Sequence, residues 1–556
     1  MKTFRILFLS FLCGILPVNR LFSQDFISNL LQQELNTHFN SLQKQGNLPY
    51  FMGFRLSETQ TYMIGASFGS LIADEYNKGR MVSGEIRIGS YEFDNSHPLN
   101  KMGYGLSGRT VEQLPIDDSI LPISNAIREC ADAAYKSALE EYEGVMQAKD
   151  TLKIKCNDFS KQEKETYFEN AVPANIPAAY WKDYLKKITA GFNKESYIME
   201  ARAMLTALSN RNYYTNTEGT LIVQNSFITD LSIAILFSCD DGNMAPYVKT
   251  YQVRTVDQLP TEQQLMDDMA EIKILIKKLR SAPLAESYSG PAILSAKAAG
   301  VFFHEIFGHR VEGHRLRLTT DSHTFKNQLG EKILPDQISI TYDPTVTEYK
   351  GVPLYGHYIY DDQGVPAQKV EVVKEGKFIQ YLMSRQPVEG IAVSNGHGRS
   401  ELGLAPVSRQ SNLFVSSKSY IPEKDMHEKL RKMCKKQKKE YGYLFDEVIG
   451  GFTNTDRVSV NAFNIIPIVV YKVYTDGRPD ELVRGVTLIG TPLTMFSEIE
   501  ACGGQQAVFN GYCGAESGSV PTSTIAPSLL VNKIETQRQF EIKCETPQIC
   551  SPDQIK

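Results

Sequence analysis

The spacing of apolar residues changes along this chain, and this change limits the folds open to it. Apolar residues recur at helical spacing in three stretches, residues 26–45, 119–148 and 260–281. Residues 50–95 and 213–256 instead alternate apolar and polar side chains, as in SGEIRIGSYEFD, which is typical of strands with one buried face. We therefore expect an α+β chain in which residues 24–285 form an α/β-sandwich-like domain.

The second half of the chain indicates a different architecture. A stretch rich in small and turn-forming residues, Ser281–Pro291, predicts a domain boundary. After it, AQKVEVVKEGKFIQYLM predicts a strand, a Glu-Gly turn and a second strand, and NIIPIVVYKVYTDGRPDELVRGVTLIG repeats this plan with a longer turn. We expect residues 290–545 to form a β-rich, barrel-like domain that carries a histidine-containing helix.

Size and charge narrow the class of protein. A chain of 556 residues is longer than one hydrophobic core usually serves, so more than one domain is expected. The formal net charge is -5 and the pI is about 6.1. A nucleic-acid-binding protein needs a basic surface, so this charge balance argues against nucleic acid as a partner.

The N-terminal segment has the pattern of a secretory signal. Lys2 and Arg5 precede an apolar run from Ile6 to Leu16, which is too short to span a bilayer. Cleavage near Ser23 would remove residues 1–23. We expect an exported protein, periplasmic or extracellular, that is soluble after cleavage, and no other stretch has the length of a stable membrane span.

The segment VFFHEIFGHRVEGHR, residues 301–315, concentrates metal-binding side chains between apolar residues. The familiar zinc signature, His-Glu-x-x-His, sets two imidazoles on one helical face. Here His309 follows His304 by five residues, which on a regular helix places the two side chains ~140° apart. Either a π-bulge realigns them, or the helix ends at Gly308 and His309 returns from the next turn.

Two imidazoles do not complete a catalytic zinc site, which needs three protein ligands and one open position. The segment itself offers Glu312 and His314. A distant candidate is Cys513, because it lies in the glycine-rich stretch NGYCGAESGSVPTS and a thiolate binds zinc strongly. A purely structural interpretation of the His-Glu pair and of the cysteine stays open at this point.

Several ordered motifs resemble one known family. HEIFGHRVEGH resembles the His-Glu-x-x-x-His segment of the TldD/PmbA metallopeptidases, once labelled modulators of DNA gyrase. The likeness continues through DDQGVPAQKVEVVKEGKFIQYLMSR, NGHGRSELGLAPVSRQSNLFV, RGVTLIGTPL and GYCGAESGSVPTSTIAPSLLV. It covers about residues 290–535, whereas the first half offers no comparable motif.

The resemblance implies a zinc-dependent peptidase of the catalytic, TldD-like type. By position in the motifs, His304, His309 and Cys513 would hold one zinc ion and Glu305 would act as the general base. In this family the longer histidine spacing belongs to the site. His314 stands where relatives often carry an acidic residue, which indicates different surroundings for the ion.

The same resemblance implies the substrate and the assembly. Short or unfolded peptides would enter an enclosed cavity and bind as an added β-strand. Arg399, Arg409 and Asn412 are candidate contacts to the peptide backbone, and a structural role for them is an equal alternative. Family members work as dimers, so a homodimer or a heterodimer with a related subunit is expected.

Two rival hypotheses stand beside the peptidase. In the first, the chain is a non-catalytic, peptide-binding partner subunit of a TldD/PmbA-type complex; the intact His304-Glu305-x-x-x-His309 set argues against it. In the second, the chain is a structural protein whose Cys513 forms a disulfide, for instance with Cys502, which would remove the third ligand.

Overall fold

The computed structural model describes most of the chain, namely residues 25–44, 48–98, 109–152, 156–173, 176–318, 320–457 and 462–538. The signal peptide predicted for residues 1–23 lies outside the described residues. Among the described residues, no helix combines the length and the apolar character needed to cross a membrane.

The first half is built around a seven-stranded sheet with helices. The strands are β1 (Pro49–Ser67), β2 (Ser70–Ile88), β3 (Arg109–Gln113), β4 (Thr166–Phe168), β5 (Ile198–Asn216), β6 (Leu221–Ser238) and β7 (Met244–Val253). The helices are α1 (Phe26–Leu42), α2 (Ile120–Ala148), α3 (Ala178–Ala190) and α4 (Glu262–Ser281). Strand order is β3-β2-β1-β5-β6-β4, and β7 pairs with β6.

Alternation along the central strands gives this sheet two different faces. On β1, Phe54 and Leu56 pack with α1 and α2, and Ile64 belongs to the cluster formed with α3 and α4. The intervening residues Arg55 and Ser57 line a cavity instead. Since successive strand residues point to opposite faces, one face carries the helices and the other is polar.

The second half is built around a twelve-stranded sheet. The longer strands are β8 (Tyr288–Leu294), β9 (Ile338–Tyr342), β12 (Val370–Lys374), β16 (Asn412–Ser417), β18 (Tyr441–Thr453), β19 (Phe463–Tyr474), β21 (Val486–Gly490), β22 (Ile499–Ala515) and β23 (Gly518–Arg538). The short strands are β10 (Glu348–Tyr349), β11 (Val352–Pro353), β13 (Lys377–Phe378), β14 (Gly398–Arg399), β15 (Val407–Ser408), β17 (Tyr420–Ile421) and β20 (Glu481–Val483). Of these, β10 with β11 and β14 with β15 form two separate two-stranded sheets. The helices are α5 (Ala296–Ile306), α6 (Glu423–Lys436) and α7 (Pro492–Ser497).

Helix α5 is held inside this half of the molecule by apolar contacts. The main order of the sheet is β13-β12-β9-β16-β23-β21-β19-β18-β8. Because β8 also pairs with β23, the strands β23, β21, β19, β18 and β8 form a closed sequence of pairings. Phe302, Phe303 and Ile306 of α5 are fully buried in the same core cluster as Phe463 and Leu529. This packing fixes the helix that ends in the histidine segment.

The predicted α+β, strand-rich class is confirmed, and the helical stretches at 26–45, 119–148 and 260–281 correspond to α1, α2 and α4. One strand boundary was wrong. The strand predicted from residue 213 begins at Ile198, because β5 pairs along its length with both β1 and β6. The domain limits 24–285 and 290–545 stay predictions.

Candidate metal centre

The two histidines meet because helix α5 stops between them. The Ser295 side chain accepts a hydrogen bond from the Ala298 N–H and caps the start of the helix, which ends at Ile306. A short 3-10 turn, Gly308–Arg310, follows and carries His309. The imidazole rings of His304 and His309 lie edge to face with centroids 5.2 Å apart. Of the two predicted ways to accommodate the spacing, the structure has the ended helix, which stops two residues before Gly308.

Gly308 is required by a close approach rather than by an unusual backbone angle. Its φ is not positive. A Cβ atom at this position would lie 1.8 Å from Oε1 of Gln410. The absence of a side chain therefore lets the Gln410 amide lie against the turn, and its Nε2 lies 3.4 Å from Nε2 of His304.

Cys513 reaches the histidines from strand β22, where it pairs with Val520 of β23. Its buried Sγ lies 3.4 Å from Nε2 of His309. One ligand atom each from His304, His309 and Cys513 lie within 4.8 Å of one another. No other group of three such side chains with this spacing was found in the described part of the chain.

The donor set fits zinc. Zn–N distances of ~2.0–2.1 Å and a Zn–S distance of ~2.3 Å imply a separation between nitrogen and sulfur ligands of about 3.6 Å at a tetrahedral ion. The separation of 3.4 Å between Cys513 and His309 is close to this value. Two imidazoles and a thiolate, with one position left for another ligand, match the chemistry of catalytic zinc sites.

The electrostatics of the cluster favour a thiolate. Burial alone would raise the pKa of the Cys513 thiol, but the charges of His309 and His304 lower that pKa well below its usual value. Burial would lower the pKa of His309, whereas the Cys513 thiolate and Glu312 raise it to about 10. The thiolate is the form of cysteine that binds a metal.

Glu312 orients His309 instead of joining the metal-binding group. Its carboxylate lies 3.3 Å from Nδ1 of His309 and accepts hydrogen bonds from Nε and an Nη atom of Arg315 at 3.0 and 2.9 Å. His314, the other local candidate for a third ligand, is buried and pairs with Glu516. Histidine ligands commonly have such a carboxylate partner on the second nitrogen, which fixes the ring orientation.

Arg409 connects the two arms of the centre, which are the histidine segment and the part of strand β22 that carries Cys513. Its side chain is fully buried, and its guanidinium lies 3.4 Å from the Glu312 carboxylate. It also donates hydrogen bonds to the carbonyl oxygen of Cys513 and to Ser517 and Gly518. One guanidinium thus braces both the carboxylate behind His309 and the strand that carries Cys513.

Glu305 is buried beside the cluster, with 6% of its surface exposed. Its side chain packs close to the backbone of Gly451 on β18, where an added Cβ would lie 2.8 Å from Cγ of Glu305. Burial raises the pKa of the Glu305 carboxyl, and the charges of His304 and His309 oppose the increase.

The remaining predicted substrate contacts have different surroundings. Asn412 is fully buried, and its amide donates to the carbonyl oxygens of Asp343 and Val346. Arg399 lies beside a large cavity and donates to the carbonyl oxygen of Gln410 at 2.6 Å. The contribution of Gln410 and Glu516 to the centre was not predicted, because no spacing rule connects them to the histidines, and Glu312 was considered only as a metal ligand.

The disulfide that the structural alternative gave as an example, Cys502–Cys513, is not formed. Both are free cysteines on strand β22, and both are buried. The third ligand of the metal-binding group therefore has its thiol available.

Comparison with known proteins finds a metallopeptidase domain in the second half of the chain. The family model described as PmbA/TldA metallopeptidase C-terminal domain matches residues 287–538, which include both arms of the centre. A metalloprotease of Archaeoglobus fulgidus is 29% identical over 262 residues, covering 47% of this chain and 56% of that protein. A protein of Saccharolobus solfataricus named zinc metalloprotease TldD homolog is 23% identical over 401 residues, covering 69% and 79%.

The matches to curated relatives are partial. With the A. fulgidus protein and two further archaeal metalloproteases, the matched region spans about half of the relative's length, 46–56%. The whole fold is similar to that of TldE from Thermococcus kodakarensis, with a TM-score of 0.62, 12% identity, and coverage of 92% of this chain and 100% of that one. The matched C-terminal model and the TldD relatives agree: residues 287–538 carry the C-terminal domain of the TldD/PmbA family, and the chain as a whole is similar to its members.

Proposed function

We propose that this protein is a zinc-dependent peptidase whose ion is held by His304, His309 and Cys513. The observation that carries the proposal is the convergence of three ligand atoms within 4.8 Å from elements about 200 residues apart in sequence. The relatives named metalloproteases support the same reaction class. A zinc ion in this group would polarise a peptide carbonyl and lower the pKa of a water ligand.

The side chains around the centre have separate tasks in this proposal. Glu305 accepts the proton of the attacking water and delivers it to the leaving amine, as a general base and then a general acid. Arg310 donates hydrogen bonds to the carbonyl oxygens of Glu305 and Ile306 at 2.7 and 3.3 Å. These bonds give partners to carbonyl oxygens that have none within the last turn of helix α5, and they hold the backbone that presents His304 and Glu305.

The finer features of the proposal concern substrate, assembly and location. The substrate is a short or unfolded peptide, and the protein acts as a dimer with a second copy or with a related subunit. The fold shared with TldE is compatible with such a pairing. Export remains a proposal that rests on the pattern of residues 1–23.

The experiment that tests the proposal begins with elemental metal analysis of the full chain. We expect about one zinc per chain in the wild type and in Cys502→Ser, and little or none in Cys513→Ser. Cys502 is the matched control because it is a free, buried cysteine on the same strand but outside the metal-binding group. Equal zinc content in the two serine variants would refute the assigned ligand.

Activity is then measured on a mixed peptide library by mass spectrometry. Glu305→Gln should retain zinc and fold while losing cleavage, because only its proton-transfer role is removed. Cleavage by Glu305→Gln at the wild-type rate would refute its role. Zinc binding without any cleavage, with activity appearing only when a related subunit is added, would favour the non-catalytic partner subunit.

A further inference from the structure

A cavity of about 1060 Å³ separates the polar face of the first sheet from the second half of the molecule. Strands β1, β5 and β6 contribute Ser57, Asn212 and Gln224 to its wall. The opposite wall includes Tyr358 and Arg399. A volume of this size is at the upper end of the range for ligand-binding cavities.

Arg399 is a buried cation with no anionic partner in the described structure. It is 6% exposed, and its guanidinium lies over the Tyr358 ring at 4.9 Å. Its one side-chain hydrogen bond within the described residues goes to the carbonyl oxygen of Gln410. The remaining guanidinium N–H groups are left for a ligand, and burial lowers the pKa of Arg399 because the charge has lost water.

Seven of the other buried arginines differ in this respect. These have a carboxylate partner within 4 Å, namely Arg80, Arg87, Arg211, Arg315, Arg317, Arg385 and Arg409. A buried charge without a counter-ion is costly, and the cost is offset when an anion binds beside it. Guanidinium groups recognise carboxylates with two parallel hydrogen bonds, which adds geometric specificity.

The carboxylates of the cavity wall are engaged by protein groups, and none of the described ones lies within 4 Å of the Arg399 guanidinium, while the charge of Asp362 partly offsets the effect of burial on the pKa of Arg399. Asp362 forms an ion pair with Arg55 at 3.0 Å. The Asp361 carboxylate accepts hydrogen bonds from three backbone N–H groups. Glu401 accepts one from the N–H of Ser519, and Glu169 one from the N–H of Asn225.

The position of Arg399 connects the cavity with the metal centre. Gln410 accepts the hydrogen bond of Arg399 through its carbonyl oxygen and contacts His304 through its side chain. These two contacts limit the distance between the Arg399 guanidinium and His304 to roughly 12 Å, which about four residues of extended peptide would span. A peptide of this length anchored at Arg399 would span that distance, and His304, His309 and Cys513 themselves lie outside the lining of the cavity.

We propose that Arg399 binds a carboxylate of the peptide substrate inside this cavity. The inference rests on the proposed peptidase function and specifies its substrate class, a peptide with a carboxylate within about four residues of the cleaved bond. Two groups supply this chemistry, the C-terminal carboxylate of the peptide and the side chain of Asp or Glu. The first would make the enzyme select peptide ends, and the second would make it select acidic sequences.

The test measures binding to zinc-loaded Glu305→Gln protein, in which peptides are not consumed. Four peptides share one sequence and differ in a free or amidated C-terminus and in Glu or Gln at an internal position. We expect the peptide with the relevant carboxylate to bind about ten- to a hundredfold more tightly than its neutral counterpart, the range for a hydrogen bond to a charged group. The pair of peptides whose affinities differ shows whether the bound carboxylate is the C-terminus or the side chain.

Arg399→Gln in the same background should remove this discrimination and leave zinc content unchanged. Arg254→Gln is the matched control, because Arg254 also lines the cavity but is half-buried. If Arg399→Gln does not fold, the affinities of the Glu305→Gln protein for the charged and neutral peptides still test the inference. Equal affinity for charged and neutral peptides, or no binding of any of the four, would overturn the inference.

The result also separates this inference from the proposed function. Cleavage of charged and neutral peptides by the wild type with equal kcat/KM would retain the peptidase and refute the role of Arg399. Arg399-dependent binding of a carboxylate without cleavage by the wild type would support the anchor and refute the peptidase.

Discussion

Arg409 and Arg399 lie ten residues apart and are both buried, but one belongs to the metal centre and the other to the cavity. Arg409 has a carboxylate partner in Glu312 and three further protein acceptors. Arg399 has a carbonyl acceptor and an aromatic ring but no carboxylate. The comparison indicates that a buried arginine surrounded by acceptors holds a site together, whereas one without an anion is available to a ligand.

Replacing each arginine by methionine should give the largest contrast. Arg409→Met leaves Glu312 without one of its buried cations, so we expect a loss of about 3–5 kcal/mol in unfolding free energy. Arg399→Met removes a charge that has no counter-ion, so we expect no loss or a small gain in stability. Urea denaturation of both variants measures the difference, and equal destabilisation would invalidate the comparison.

A change at Glu312 tests whether the metal centre depends on the carboxylate behind His309. Glu312→Gln keeps the size of the side chain but removes the charge that orients the imidazole, so zinc affinity should fall about 10–100-fold. Competition with a chelator measures the affinity. Glu447→Gln is the control, since Glu447 pairs with Lys297 of α5 near the surface. A similar loss in the control would exclude a specific role for Glu312.

A change at Asn412 tests whether this residue contacts the substrate or only supports the fold, because it was a candidate peptide contact but is enclosed by protein. Asn412→Ala leaves the carbonyl oxygens of Asp343 and Val346 without their donor, which should cost about 1–3 kcal/mol. Peptide affinity and zinc content should not change in the folded protein. Weaker peptide binding at unchanged stability would instead assign Asn412 to the substrate.

The smallest effect is expected at Lys297, which lies in the first turn of helix α5, seven residues before His304. Its ion pair with Glu447 is about one-third exposed, and exposed pairs contribute roughly 0–1 kcal/mol. Lys297→Met should therefore retain zinc affinity and lose less than about 1 kcal/mol of stability. A larger loss of zinc affinity would mean that any charge change on α5 disturbs the centre.

The periodic elements were predictable where local pattern and tertiary environment agree. Helix α4 follows its apolar spacing, and its capping residue Thr261 accepts the expected hydrogen bond from Gln264. Strand β5 was partly missed because EARAMLTALSNR contains many helix-favouring residues. Pairing with β1 and β6 on both sides outweighs that preference, and such pairing is not visible in one segment alone.

The candidate site was predictable through residue chemistry but not through geometry. His304, Glu305 and His309 belong to one short segment, and Cys513 was one of several candidates for the third ligand until the motif resemblance selected it. Whether the longer spacing meant a π-bulge or an ended helix was visible only in the folded chain, where the Gln410 side chain lies against Gly308 just after the end of helix α5. That contact comes from a segment about one hundred residues away.

The sequence by itself determined the mixed helical and strand pattern, the set of side chains able to bind a metal, and the motifs shared with the TldD/PmbA family. Tertiary structure alone decided that Arg409 braces the centre, that Arg399 lies beside a cavity without an anion, and that Glu312 orients His309. The physical reason is that the energy of a buried charge depends on the groups around it, which the folded chain assembles from distant segments.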